Sequence, residues 1–236
     1  PMDTFYQNIK CITDMLYFEY YVRTQNIVRA DYYLQRIHQI LPDLTEKHMM
    51  NFFVVQFLRS KVMKYQVDGN IDQLQYYADK LEKYCDIDLN EEYHYISMKR
   101  YLATVKFYQR DFQGAARKIN ELRNQVSLKH YLYTDIDSKL FQALQYCIMG
   151  DDSLCMQIIS SLKRQIREQD AEYESARFLM KLLKTALKPA DYRRKIKRIA
   201  EMWTEFDEMN KGSFPVISYV KVDENVIRRM SNPIKE

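Results

Sequence analysis

The sequence predicts an all-α fold: a right-handed superhelical solenoid of about five antiparallel helical hairpins, closed by a C-terminal capping segment. Three observations lead to this prediction. The 236 residues include only 4 Gly and 5 Pro, too few for the tight turns of a strand-rich fold or for a glycine-rich phosphate loop. Apolar residues recur at steps of three and four, which is helical spacing. The whole pattern also returns every 40 to 44 residues, which is typical of helical repeats.

The repeat is clearest when five segments are aligned on the second residue after a short turn. Seven and ten residues after this anchor, and nine residues before it, the side chain is apolar in all five segments. These positions therefore lie on one face of a helix before the turn and of a helix after it. The anchors are Ile27, Ile71, Phe112, Asp152 and Tyr192.

Turn residues define where the helices begin and end. Asn70, Asp111 and Asp151 are placed to cap the second helix of their hairpins, and Gly69 and Gly150 suit the left-handed position that ends a first helix. The predicted helices, in order, cover residues 2–24, 26–40, 45–67, 70–85, 90–109, 112–126, 129–149, 152–168, 170–187 and 190–210.

The last 26 residues break the pattern. Residues 214–220 have an extended character, and a short helix is predicted at 223–230. The last hairpin of a solenoid exposes an apolar face that a terminal segment must cover. Residues 1–210 are therefore predicted to form the repeat domain, and residues 211–236 the C-terminal cap or tail.

The hairpin pattern resembles the tetratricopeptide repeat. The resemblance consists of first helices that carry apolar, small and tyrosine residues, the turn Asp68-Gly69-Asn70, second helices centred on Ala30 or Ala115, and Pro42 where that repeat often ends. The chain is also similar to bacterial proteins built of degenerate repeats of this kind. Its units are longer than the usual ~34 residues, the signature tryptophan is absent, and the third and fifth turns lack glycine.

The resemblance implies a non-catalytic interaction module, a scaffold or adaptor that holds a protein or peptide on the concave face. The outward-facing residues of the first helices would line that groove. Arg59 and Arg100 would grip a carboxylate of an acidic or C-terminal peptide with bidentate hydrogen bonds. The groove residues implied by the repeat register are Gln56, Arg59, Met63, Ser97, Arg100, Thr104, Tyr108, Arg177, Lys184 and Lys188.

The charge pattern supports a second hypothesis. The formal net charge is +4, but residues 163–202 contain twelve Lys or Arg against six acids. Within them, Arg193, Arg194, Lys197 and Arg198 form a basic patch on a predicted amphipathic helix. This patch is either a solvated helix face or a contact for a phosphate backbone or an acidic partner. Nucleic-acid-associated regulation is therefore the alternative function.

No pattern typical of catalysis or metal binding is present. The histidines, His38, His48, His94 and His130, are not paired at ligand spacing. The acid pairs Glu91-Glu92 and Asp135 with Asp137 fall in predicted first turns, where the helix dipole favours acids. We therefore expect neither enzyme activity, cofactor nor metal.

The four cysteines show no disulfide or Cys-x-x-Cys pattern, and no signal peptide or membrane span is visible. These features predict a cytoplasmic location without membrane partners.

Overall fold

The structure, a computed structural model, describes residues 4–24, 26–45, 62, 65–66, 69–84, 92–167, 173–211 and 214–232. These residues form ten α-helices and one 3₁₀ helix and contain no β-strand, so the predicted all-α fold is confirmed. The α-helices are α1 (Thr4–Arg23), α2 (Ile27–Thr45), α3 (Ile71–Tyr84), α4 (Glu92–Tyr108), α5 (Phe112–Gln125), α6 (Leu132–Met149), α7 (Asp152–Arg167), α8 (Glu174–Leu187), α9 (Tyr192–Met209) and α10 (Glu224–Ser231).

The chain divides into two compact units, residues 1–105 and residues 106–236. In the first unit, α1 packs along α2. In the second unit, α6 is the central helix: it contacts α5, α7, α8 and α10. The tail therefore belongs to the second unit.

The predicted helix caps are confirmed. The carboxylate of Asp111 accepts a hydrogen bond of 2.7 Å from the Gly114 amide, and that of Asp151 accepts one of 3.0 Å from the Leu154 amide. The side chain of Asn70 likewise accepts from the Gln73 amide at 3.4 Å. Each bond satisfies an amide that has no partner within the helix. Gly69 and Gly150 have φ angles of 70° and 75°, the left-handed conformation expected of them.

The repeat positions are also buried as the alignment predicts. Nine residues before and seven and ten residues after each anchor, every side chain is at most 4% exposed. The small-residue position three after the anchor is buried at Ala30, Ala115 and Cys155, while Lys195 is half-buried. The residues that repeat along the chain are therefore the ones that form the core.

Three helix boundaries differ from the sequence prediction by three residues or more. Helix α2 continues through Pro42 to Thr45, five residues past the predicted end. Helix α6 begins at Leu132, because residues 128–130 form a 3₁₀ turn that the Tyr131 amide closes by donating to the Leu128 carbonyl at 3.0 Å. Helix α8 begins at Glu174. Most of the predicted helix 45–67 lies outside the described residues.

The contact between α1 and α2 includes a partly buried ion pair, in which Asp14 is buried and Arg36 is about one third exposed. The Asp14 carboxylate, 1% exposed, accepts from the Arg36 guanidinium at 3.0 and 3.1 Å. Burial raises the pKa of Asp14, while Arg36 and Lys10 act in the opposite direction. Burial, with a smaller contribution from Asp14, raises the pKa of Cys11 to about 11. Both groups lie in the core that joins the two helices.

We predict that Ala115→Arg lowers the free energy of unfolding by about 3 kcal/mol or more, because the site has no room for a long charged side chain. Ala115 is fully buried on α5. The matched control is Gln113→Arg, an exposed position on the same helix. Thermal unfolding measures the difference. A melting temperature within one or two degrees of the wild type for Ala115→Arg would show that the register is wrong.

Candidate functional site

The tail runs along the central helix α6. The Tyr133 hydroxyl donates to the Pro215 carbonyl, the Ile217 amide donates to the Asp137 carboxylate, and the Phe141 ring lies 5.5 Å from the Tyr219 ring. The contact positions advance by four residues on α6 and by two on the tail. The two segments therefore run in the same direction. The extended character predicted for residues 214–220 is wrong, because residues 216–219 form bends and a turn in which the Val220 amide donates to the Ile217 carbonyl at 2.9 Å.

Further hydrogen bonds hold the tail at its start and beyond its turn. The Asn210 side chain bonds both the amide and the carbonyl of Val216, at 2.8 and 2.7 Å. The Tyr108 hydroxyl donates to the Tyr219 carbonyl at 2.9 Å and accepts from the Lys221 amide at 3.0 Å. All four hydrogen bonds involve backbone groups of the tail. They therefore fix the path of its backbone as well as the positions of its side chains.

One tail residue is held in a strained conformation. Ile217 is 1% exposed and has a φ angle of 45°, a region that β-branched residues rarely adopt and that costs on the order of 1–3 kcal/mol. Its amide bond to the buried Asp137 and its burial offset this cost. The sequence had suggested that Asp137 stabilises the start of a helix. In the structure the first-turn acid of α6 is Asp135, and Asp137 instead binds the tail.

The tail packs against the central helix α6 as well as against the last hairpin, α8 and α9. Val216, Val226 and Met230 are almost fully buried, and helix α10 contacts α6 and α8 as well as α9. The tail therefore buries apolar surface as a cap does, and it also occupies one face of α6. A ligand cannot use that face while the tail is in place.

The structure changes the interpretation of the predicted groove residues on α4. Thr104 and Tyr108 are only 2% and 8% exposed, so neither presents its side chain to a ligand as predicted. The Thr104 hydroxyl donates to the Arg100 carbonyl at 2.8 Å, and Tyr108 binds the tail. Ser97 and Arg100 are half-buried, and the Ser97 hydroxyl donates to the Tyr93 carbonyl at 2.9 Å. Gln56, Arg59 and Met63 lie outside the described residues.

The other three predicted residues, Arg177, Lys184 and Lys188, come together in an open groove between α7 and α8. We call it the basic groove; its volume is about 590 Å³. The floor of the groove is apolar: it consists of Ile166 and Met180, which are almost completely buried. The described residues that line it are Lys163, Ile166, Arg167, Arg177, Met180, Lys181, Lys184, Thr185 and Lys188.

The helical spacing explains how the cations reach the same groove. Arg177, Lys181 and Lys184 follow one another at steps of four and three residues, so they lie on one face of α8. Lys188, four residues further on, is the C-cap residue of this helix. Lys163 and Arg167 are four residues apart on α7 and line the opposite wall. The Arg177 guanidinium spans the groove and donates to the Ile166 carbonyl at 3.5 Å.

The basic groove concentrates positive charge. Six Lys or Arg residues line it, and no acid does among the residues that the structure describes, which do not include residues 168–172. Within the ranges that the structure describes, no carboxylate lies in ion-pairing distance of Lys163, Arg167, Lys181, Lys184 or Lys188. Cations that crowd one cleft reinforce each other's field and raise the local concentration of anions. The groove is therefore suited to an anionic ligand.

The predicted basic patch lies on helix α9. Arg193, Arg194, Lys197 and Arg198 are all exposed there, and Arg198 approaches Glu201 at 3.8 Å. The opposite face of α9 carries Ile199, Met202, Trp203 and Phe206, all buried. The patch is thus the outer face of an amphipathic helix, without an apolar floor of its own.

Sequence reasoning missed half of the basic groove. It assigned ligand contacts only to first helices, so it omitted Lys163 and Arg167, which belong to the second helix of their hairpin. It also omitted Lys181, although this residue shares one face of α8 with Arg177 and Lys184. The signal that could have found them was the helical spacing of basic residues within 163–202.

The other reactive side chains show no constellation for catalysis. No group of three or more potential metal ligands occurs among the described residues. Cys147 and Cys155 are completely buried. A hydrogen bond with Cys155, followed by burial, raises the pKa of the Cys147 thiol well above its ordinary value, and a protonated thiol is a poor nucleophile. None of the helices, over the parts described, has the length and apolar character needed to cross a membrane.

Comparison with known proteins adds no relative: no protein-family model, no curated protein and no solved structure matches this chain. The class that the fold and the site define is an all-α protein with a groove lined by basic residues.

We predict that Tyr108→Phe weakens the attachment of the tail by about 1–3 kcal/mol, because it leaves two backbone groups of the tail without their partner. Hydrogen exchange at the Lys221 amide should become faster and the melting temperature should fall. Tyr93→Phe, at an exposed position, is the matched control. Equal behaviour of the two variants would contradict the role given to Tyr108.

Proposed function

We propose that this chain is a non-catalytic protein-interaction module that binds an acidic segment of a partner protein in the basic groove. The observation that carries the proposal is that six cations line the basic groove around an apolar floor, with no acid among the described residues of its lining. Three of the cations are residues that the repeat register had assigned to ligand binding. Exposed ion pairs are individually worth less than ~1 kcal/mol, so affinity must come from several of them acting together.

The dimensions of the groove fit an extended peptide. Arg177 on α8 and Lys188 at its C-cap are eleven residue steps, or about 16 Å, apart, which corresponds to about five residues of extended chain. Neighbouring cations on this face are about 4.5–6 Å apart along the helix axis. In an extended peptide, every second side chain points the same way, at a repeat of about 6.6 Å. Acidic residues at alternate positions would therefore meet successive cations.

The alternative, binding of nucleic acid through the basic C-terminal helices, is supported by the exposed basic patch on α9. Single-stranded nucleic acid is bound by stacking its bases on aromatic side chains in a basic channel. None of the residues that line the basic groove is aromatic. The groove therefore favours a carboxylate-rich peptide over bases.

Two finer expectations belong to the same proposal. The first is that the hairpins stack as a right-handed solenoid of the tetratricopeptide type, which the burial of the repeat positions supports. The second is a cytoplasmic location, which fits the buried free thiols Cys11, Cys147 and Cys155, because such thiols persist in a reducing compartment.

The experiment is a titration of the full chain with a fluorescent ten-residue peptide of alternating glutamate and alanine. We predict that Lys181→Glu combined with Lys184→Glu weakens binding at least tenfold, or about 1.4 kcal/mol. The matched control is Arg193→Glu combined with Lys197→Glu, which changes the net charge equally on the exposed face of α9. Circular dichroism verifies that both variants are folded.

Three results would contradict the proposal. The wild type could fail to bind the peptide at low salt. Both double variants could lose affinity equally, which would mean that only net charge matters. A duplex DNA of thirty base pairs could bind, with the affinity falling steeply with salt, while the peptide does not; that result would favour the alternative function.

A further inference from the structure

Helix α1 is apolar on two faces, and the residues that the structure describes cover only one of them. Cys11, Met15 and Phe18 pack into the core with α2. The other face exposes six large apolar side chains, with Leu16 and Tyr20 at 64% and 58% exposure. A helix that is apolar on both sides is usually buried on both sides, and contiguous exposed apolar surface marks an interaction site. We call this face the α1 stripe; its apolar residues are Tyr6, Ile9, Ile12, Leu16, Tyr17 and Tyr20.

The α1 stripe has the spacing of a helix-packing seam. Tyr6, Ile9, Thr13, Leu16 and Tyr20 follow at steps of three and four residues, the pattern by which one helix packs along another. The pattern is nearly symmetric about Thr13, with Tyr6 and Tyr20 each seven residues from it and Ile9 and Leu16 four and three residues away. The hydroxyl of Thr13 already donates to the Ile9 carbonyl at 2.8 Å, so burying it leaves no donor unpaired.

We propose that the α1 stripe packs antiparallel against the α1 stripe of a second copy of this chain, about a two-fold axis at Thr13. Tyr6 then lies opposite Tyr20 of the partner subunit, and Ile9 lies opposite Leu16 of the partner subunit. In such an isologous contact each apolar pair forms twice. This inference uses the first unit and does not depend on the proposed peptide binding.

Two features favour a second copy as the occupant. None of the side chains that the structure describes on this face of α1 is charged, so contact of the α1 stripe with itself brings no like charges together among them. Its area is also adequate: six side chains of the ~150–250 Å² class at about half exposure present on the order of 600 Å², near the ~800 Å² that each partner buries in a standard interface. Two helices of this length can align over about 30 Å.

The first test measures the mass of the full chain by sedimentation over a hundredfold range of concentration. The wild type is expected to form a dimer. Leu16→Lys should raise the dissociation constant at least tenfold without unfolding the protein, because Leu16 is already mostly exposed. The matched control, Gln35→Lys, places the same charge on an exposed position of α2 and should leave the dimer unchanged. A wild type that is monomeric throughout would overturn the proposal, and so would a dimer equally strong in both variants.

The second test determines the orientation by disulfide trapping. Thr13→Cys places two thiols at the two-fold axis and should give a covalent dimer under oxidised glutathione, above the background of the wild-type cysteines. Tyr6→Cys should not, because the two thiols lie at opposite ends of an antiparallel pair. Equal trapping of both variants would indicate a parallel contact and overturn the antiparallel arrangement, and trapping of neither would overturn the axis at Thr13.

Discussion

The buried carboxylate of Asp137 holds the tail against the central helix of the second unit through a hydrogen bond. It lies on α6, is 1% exposed and accepts a hydrogen bond from the Ile217 amide. Burying a carboxylate without partners is costly, and the tail supplies one of its partners from its own backbone. To make this hydrogen bond, Ile217 adopts a left-handed backbone conformation. The position of the tail is thus set by a polar requirement of the central helix as well as by apolar burial.

This arrangement determines which surfaces of the second unit are open. Helix α6 is surrounded by α5, α7, α8 and α10, and eleven of its side chains are buried. The buried Gln142 side chain of α6 is used internally, since it donates to the Asn120 side chain at 2.6 Å and accepts from Arg123 at 3.0 Å. The basic groove lies between α7 and α8, and lysine and arginine side chains line it together with the buried Ile166 and Met180. The proposed ligand site, the basic groove, is therefore on a surface that the tail does not cover.

The sequence predicted the parts of the fold that depend on local chemistry and periodicity. The caps at Asp111 and Asp151, the left-handed Gly150 and the buried repeat positions all follow from short-range rules. The path of the tail does not, because it depends on contacts between residues about eighty to one hundred and ten positions apart. Tyr108 shows the difference: its spacing suggested an outward position, whereas its hydroxyl binds tail backbone.

The candidate site was predictable only in part, for a similar reason. Arg177 and Lys184 share a helix face that the spacing reveals, and Lys188 is the C-cap of that helix, but Lys163 and Arg167 reach the groove from another helix. Only the packing of α7 beside α8 brings the two sets together. The α1 stripe was not predicted either, because the spacing of apolar residues shows that a face is apolar but not whether another helix covers it.

The most direct test is hydrogen–deuterium exchange of the full chain with and without the alternating glutamate–alanine peptide. The account predicts that the peptide slows exchange at the ends of α7 and α8 that line the basic groove, and leaves the amides of residues 214–223 unchanged. Faster exchange in residues 214–223 on peptide binding would contradict it, since that result would mean that the ligand displaces the tail and binds to α6.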